Sequence, residues 1–186
     1  LLRLQEGLNQ SRRLTLISAP AGYGKTLLVV EWIRHQALKA AWVSLDEGDN
    51  DFVRFARYLI AALRSVHPEL GEASLQLLKN AQLPSVEGLL TPLVNELAGL
   101  RESHPLLLVL DDYHLIHSQA VHDAAIFLVE YLPRQAHLVL ITRADPPLPL
   151  ARWRGRGQLS ELRMDDLRFS TAETAAYLEM ALKLRL

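Results

Sequence analysis

The stretch Leu14-Thr-Leu-Ile-Ser-Ala-Pro-Ala-Gly-Tyr-Gly-Lys-Thr26 constrains this chain more than any other part of it. Its apolar opening reads as a strand covered on both faces, and it runs through a glycine turn into an amphipathic stretch headed by Lys25 and Thr26. A doubly covered strand followed at once by a helix commits the chain to layers of α and β structure. Gly22 and Gly24 let the backbone turn its N–H groups inward with no Cβ in the way. Lys25 brings a cation within reach of β- and γ-phosphates, Thr26 brings a hydroxyl ligand for Mg²⁺, and the helix N-terminus adds its dipole. Ala19 stands where such loops usually open on Gly, and the position needs only a small residue. The residues expected to touch phosphate are Ala21, Gly22, Tyr23, Gly24, Lys25, Thr26 and Leu27.

Four further apolar runs punctuate the sequence: Ala40–Leu45, Leu106–Leu110, His137–Ile141 and, more weakly, Gln158–Arg163. Between the runs lie helical periodicities over Lys25–Gln36, Asp51–Ser65, Ala73–Ala81, Val86–Leu100, Ala120–Tyr131 and Thr171–Leu184. In the second helix Phe52, Phe55, Ala56, Leu59, Ile60 and Leu63 share one face. Strand and helix in alternation predict a parallel sheet with right-handed crossovers. Asp49, Asn50 and Asp51 offer N-caps before the Phe52 helix, and Ser170 and Thr171 do so before the last one. The prolines between Asp145 and Pro149 exclude a sheet ladder there, so that stretch is expected to be a loop.

Composition narrows the function. With 186 residues the chain can bury about 70% of its extended surface, enough for a core without staples. Lys and Arg number 20 against 21 Asp and Glu, a net charge of −1, so the chain lacks the basic excess of a nucleic-acid coat. Zero cysteines remove disulfide scaffolds and thiolate metal sites. No apolar run approaches the roughly 18 residues of a membrane span. The chain begins at Leu1, with no repeat or low-complexity tract, and reads as one domain over residues 1–186 excised from something larger.

Two strand ends carry further chemistry. Leu106-Leu-Leu-Val-Leu-Asp-Asp112 places two carboxylates at the edge where ligands bind in open α/β sheets. Asp111 is expected to hold Mg²⁺ through water, and Asp112 either polarises an attacking water as general base or caps the next segment. Arg143, after His137-Leu-Val-Leu-Ile-Thr142, either reads the γ-phosphate or pairs with a surface carboxylate, and Thr142 is placed to bond the same phosphate or water. Three other features are weaker. His114, His117 and His122 have loose metal-like spacing without a fourth ligand. Arg152-Trp-Arg-Gly-Arg156 reads as a solvated loop or interdomain contact rather than a strand-binding patch. The acidic stretch Asp46–Asp51 is explained by helix capping.

Four segments taken together resemble the nucleotide-binding domain of MalT-type regulators, ATP-dependent transcriptional activators of the LuxR family among the signal-transduction ATPases with numerous domains. They are Ser18-Ala-Pro-Ala-Gly-Tyr-Gly-Lys-Thr26, Trp42-Val-Ser-Leu-Asp-Glu-Gly-Asp-Asn50, Arg54-Phe-Ala-Arg-Tyr-Leu-Ile-Ala-Ala62 and Leu110-Asp-Asp-Tyr-His-Leu-Ile116. The resemblance implies a P-loop three-layer α/β sandwich with a five-stranded parallel sheet in order 5-1-4-3-2. It implies an ATP/ADP switch using Mg²⁺, in which ATP permits self-association and hydrolysis resets the ADP state. Lys25, Thr26 and Gly24 fall on the phosphate loop, Asp111 and Asp112 on the metal and catalytic acids, and Arg143 on a sensor arginine. DNA binding would belong to a C-terminal helix-turn-helix outside this stretch, and the setting would be cytoplasmic with no membrane partner. The family's arginine-containing segment would lie before Leu1 and its Gly-x-Pro motif after Leu186, with Thr171–Leu186 leading into other domains of the parent chain. Rival readings are a loader ATPase of the AAA+ kind, with Arg152 to Arg156 as the candidate finger, and a catalytically idle nucleotide-dependent scaffold.

Overall fold

The apolar runs become the interior of one sheet. In the computed structural model, which describes residues 2–10, 12–79, 85–101 and 104–167, β1 (Leu14–Ser18), β3 (Leu106–Asp111) and β4 (Ala136–Thr142) are buried at every position. The flanking strands β2 (Ala40–Ser44) and β5 (Leu159–Arg163) are only partly covered. All pairings are parallel and the order is β2-β3-β4-β1-β5, the order 5-1-4-3-2 read from the other edge.

Side-chain alternation along the strands divides the core into two layers. Leu14, Leu16, Leu106, Leu108, Leu110, Leu138 and Leu140 face α3 (Phe52–Val66), α5 (Val86–Ala98) and α6 (Gln119–Tyr131). Ile17, Leu107, Val109, Val139 and Ile141 face α1 (Leu2–Asn9) and α2 (Lys25–Gln36), where Leu4, Leu8, Val29 and Trp32 close the opposite side. Each buried aliphatic side chain contributes about 1.5–3 kcal/mol, so both layers are needed to hold the central strands out of water. The α/β sandwich and its parallel sheet are as expected from the sequence.

Boundaries shift where caps rather than periodicity decide. Asp51 caps α3 by accepting from the Arg54 amide at 2.8 Å. Asp46 and Asp49 form a capping box around the 3-10 turn Glu47–Asn50. Ala73–Ala81 was expected to be helical, but α4 covers Glu72–Leu77, starting one residue after Gly71. The expected helix Val86–Leu100 stops at Ala98, where Gly99 caps it. Residues 80–84 and the predicted Thr171–Leu184 helix lie outside the described residues.

Two helices had no clear periodic signal. In α1, Leu4 and Leu8 dock on the sheet, and a Cβ at Gly7 would stand 2.7 Å from Ser160 Oγ, so only glycine lets the helix approach β5 this closely. The Arg152–Arg156 stretch, expected to be a solvated loop or an interdomain contact, lies largely in α7 (Leu150–Gly155), with Trp153 fully buried. Trp153 Nε1 donates to Glu130 Oε1 at 2.9 Å, and Arg152 donates to the same oxygen. Arg156 pairs with Glu130 and Arg154 with Glu161, so all three guanidiniums are engaged within the chain.

Near the start of β4, His137 is buried with both nitrogens satisfied: Nδ1 lies 2.7 Å from the Arg12 carbonyl and Nε2 2.8 Å from Thr15 Oγ1. Nδ1–H donates to the carbonyl and Nε2 accepts from the hydroxyl, so the ring is neutral. Burial pushes its pKa down to about 4. The unfolded chain takes up this proton near pH 6.5 and the folded chain resists it, so stability falls as pH drops through the window between. Urea unfolding should show a loss of about 2 kcal/mol from this group between pH 7.5 and pH 5. His137→Gln should flatten that slope, and an unchanged slope would assign it to other groups.

Candidate functional site

The phosphate-loop segment leaves the C-terminal end of β1 and enters α2 at Lys25. Gly22 and Gly24 adopt φ of 84° and 68°, the left-handed region that side chains resist. An added Cβ at either would meet nothing within 4 Å, so backbone conformation rather than crowding demands glycine here. Lys25 Nζ folds back to donate to the Pro20 carbonyl at 3.0 Å. Ala21 is exposed, Tyr23 is half-buried, and Leu27 points outward with 64% exposure.

Strand order brings the distant acids to this loop. β3 and β4 end on the same edge as β1, so Asp111 and Arg143 arrive beside α2. Thr26 Oγ1 donates to Asp111 Oδ2 at 2.9 Å, and the Asp112 amide donates to Asp111 Oδ1 at 2.9 Å. Burial pushes the Asp111 carboxyl above its ordinary range, while these two donors oppose the shift. The next residue is placed differently. Asp112 has φ 56° and ψ 35°, and its side chain keeps 48% exposure, so its carboxylate is reachable by water.

Arg143 is exposed directly after β4. Lys25 is lowered from its ordinary value by burial first and by the Arg143 charge second, with Asp112 and Asp111 opposing. His114 is lowered by the same two causes in the same order. Thr142 differs from expectation: its hydroxyl donates to the Ala144 carbonyl at 2.8 Å and it is 1% exposed, so it shapes the turn rather than facing a phosphate.

One member of the site was not selected from the sequence. His114 carries a buried Nδ1 without a hydrogen bond, 3.7 Å from Asp112 Oδ1. Its position two residues past Asp112 was the available signal, diluted by the nearby histidines. Those go elsewhere: His117 is exposed, and His122 is buried with Nδ1 2.9 Å from the Tyr113 hydroxyl. No group of three metal-ligating side chains forms among the described residues.

The donor set suits a small hard cation. Thr26 and Asp111 offer two oxygen atoms side by side, ligands of the kind Mg²⁺ takes.

No protein-family model matches the chain. Its sequence is 40% identical over 174 residues to the HTH-type transcriptional regulator MalT of Yersinia enterocolitica, covering 94% of this chain and 19% of that protein. The MalT of Yersinia pestis is 41% identical over 170 residues, 91% of this chain and 18% of its own length. The chain is similar to these MalT regulators over more than nine tenths of its own length. It spans about a fifth of the length of these MalT relatives. Among solved structures, Aeropyrum pernix Orc1 in complex with DNA matches with a TM-score of 0.52 at 18% identity, covering 98% of this chain and 48% of that one. Drosophila ORC bound to DNA matches with a TM-score of 0.54 at 12% identity, covering 95% and 30%. These two likenesses are of fold alone, a five-stranded parallel sheet flanked by helices.

Proposed function

We propose that this chain is the ATP-binding, slowly hydrolysing switch module of a multidomain transcriptional activator. The observation that carries the reading is the 2.9 Å contact between Thr26 and Asp111 beneath an open glycine turn, with Lys25, Arg143 and His114 around it. Loop amides from Ala21 to Leu27 and the α2 N-terminus would cradle the β-phosphate. Thr26 and Asp111 would hold Mg²⁺, which when bound supplies charge neutralisation at the phosphates. Lys25 leaves the Pro20 carbonyl to meet the β- and γ-oxygens. Asp112, free of the Thr26 contact, accepts a proton from the attacking water, and Arg143 reads whether a γ-phosphate is present.

Because ATP and ADP differ only at that γ-position, Arg143, Asp112 and His114 are the residues able to bias two conformations differently. Self-association with ATP, contacts with other domains, DNA binding through a helix-turn-helix elsewhere in the parent protein, and a cytoplasmic setting belong to the same proposal. A reading as a finger-supplying loader ATPase is disfavoured by Arg152, Arg154 and Arg156, each already paired with Glu130 or Glu161. Among the described residues no helix is long and apolar enough to cross a membrane.

Calorimetric titration tests the reading directly. Mg-ATP and Mg-ADP should each bind at one site per chain, and chelating Mg²⁺ should weaken ATP more than ADP. No heat with either nucleotide would overturn it.

A further inference from the structure

Asn50 spends its whole hydrogen-bonding capacity on joining two loops. Its Nδ2 donates to the Glu47 carbonyl at 2.9 Å and to the Leu115 carbonyl at 3.0 Å. Its Oδ1 accepts from the consecutive amides of His117 at 2.7 Å and Ser118 at 2.8 Å. A carboxamide has two donors and two acceptor positions, and all four are used. One loop follows β2. The other is the turn that leaves β3 through Asp111 and Asp112 and leads into α6.

That second loop is therefore gripped at both ends. At its start the Leu45 amide donates to the Asp111 carbonyl at 3.0 Å, and at its end Asn50 holds residues 115 to 118. Between the grips stand Asp112, in the left-handed conformation at φ 56°, and His114. Aspartate enters that conformation more readily than most non-glycine residues, and here the turn is held on both sides of it. Asn50 itself lies outside the phosphate loop and the two acids.

We infer that Asn50 is a positioning residue: by gripping 115 to 118 it sets where the Asp112 carboxylate and the His114 imidazole stand against the phosphate loop. The inference rests on the nucleotide-hydrolysing reading of the site. Aspartate at this position keeps the shape but turns an oxygen toward the Glu47 and Leu115 carbonyls, so two attractive contacts become repulsive and the downstream grip opens.

The full chain is tested with Mg-ATP in single-turnover phosphate release, alongside Asp112→Asn. Asn50→Asp should slow release about tenfold to a hundredfold, the scale of a small misplacement of a reacting group. Mg-ATP affinity should stay within about threefold, because the phosphate loop is untouched. In the Asp112→Asn background the same change should cost nothing further, since it acts through Asp112. Lowering the pH protonates the introduced carboxylate, which restores an O–H donor and should narrow the deficit. An Asp112→Asn defect combined with an additive or silent Asn50→Asp overturns this inference alone. Hydrolysis unchanged by Asp112→Asn removes the underlying reading and this inference with it. Amide exchange in the unsubstituted chain gives a readout independent of folding of the variant and of activity. The His117 and Ser118 amides should exchange as slowly as those inside α6, and exchange at open-chain rates would show that the grip does not form.

Discussion

Asp112→Asn should slow phosphate release from bound ATP by about 10²–10⁴-fold, the usual contribution of a positioned general base. The two adjacent acids are divided by geometry. Asp111 is committed on both oxygens, to the Thr26 hydroxyl and to the Asp112 amide, each at 2.9 Å. Asp112 turns away on a left-handed backbone, and its half-exposed carboxylate stands 3.7 Å from the His114 ring. Asparagine keeps the shape and the backbone conformation but cannot take a proton, so Mg-ATP binding should change by no more than about threefold. The expected phenotype is trapped ATP. Filter binding and phosphate release on the same preparation separate the two effects, and equal release rates would move proton acceptance to another group.

Lys25→Ala should abolish stabilisation by nucleotide. A ligand at a hundred times its Kd adds about 2.7 kcal/mol to a protein that binds it only when folded. For a domain of this size that corresponds to roughly 5–10 °C in Tm. Lys25 stands where its charge is disfavoured by burial and by Arg143, so a bound polyanion gains from it twice, by attraction and by relief of that repulsion. Without nucleotide the substitution loses the Pro20 contact and the attraction to Asp112 and Asp111, offset by the relieved repulsion from Arg143, and should cost less than about 1 kcal/mol. Thermal melts with and without Mg-ATP check it. A shift of normal size in the variant would mean that the loop amides suffice and that Lys25 has another role.

Much of the fold was legible in advance because its signals are local. β1, β3 and β4 are covered on both faces, so their sequences are apolar without interruption and their limits agree with the expected runs within a residue or two. The start of α2 at Lys25 follows from glycines whose backbone angles no other residue adopts cheaply. Elements stabilised by remote partners were harder to read. The α7 segment is rich in arginine and looks solvent-bound, yet Glu130 and Glu161 neutralise it and Trp153 anchors it in the core. Thr142 sits at a strand end that suggested a ligand, while a carbonyl two residues on claims its hydroxyl.

By itself the sequence determined the layered α/β class, the strands of the sheet and the turn that opens α2, because periodicity and backbone preference act over neighbouring residues. Only the tertiary structure decided that Thr26 would meet Asp111, 85 positions away, that the His114 ring would stand 3.7 Å from the Asp112 carboxylate, and that Asn50 would tie the β2 loop to the Asp112 turn. Those pairings depend on which strands become neighbours, and contacts between residues far apart in the chain leave no period or local preference to read.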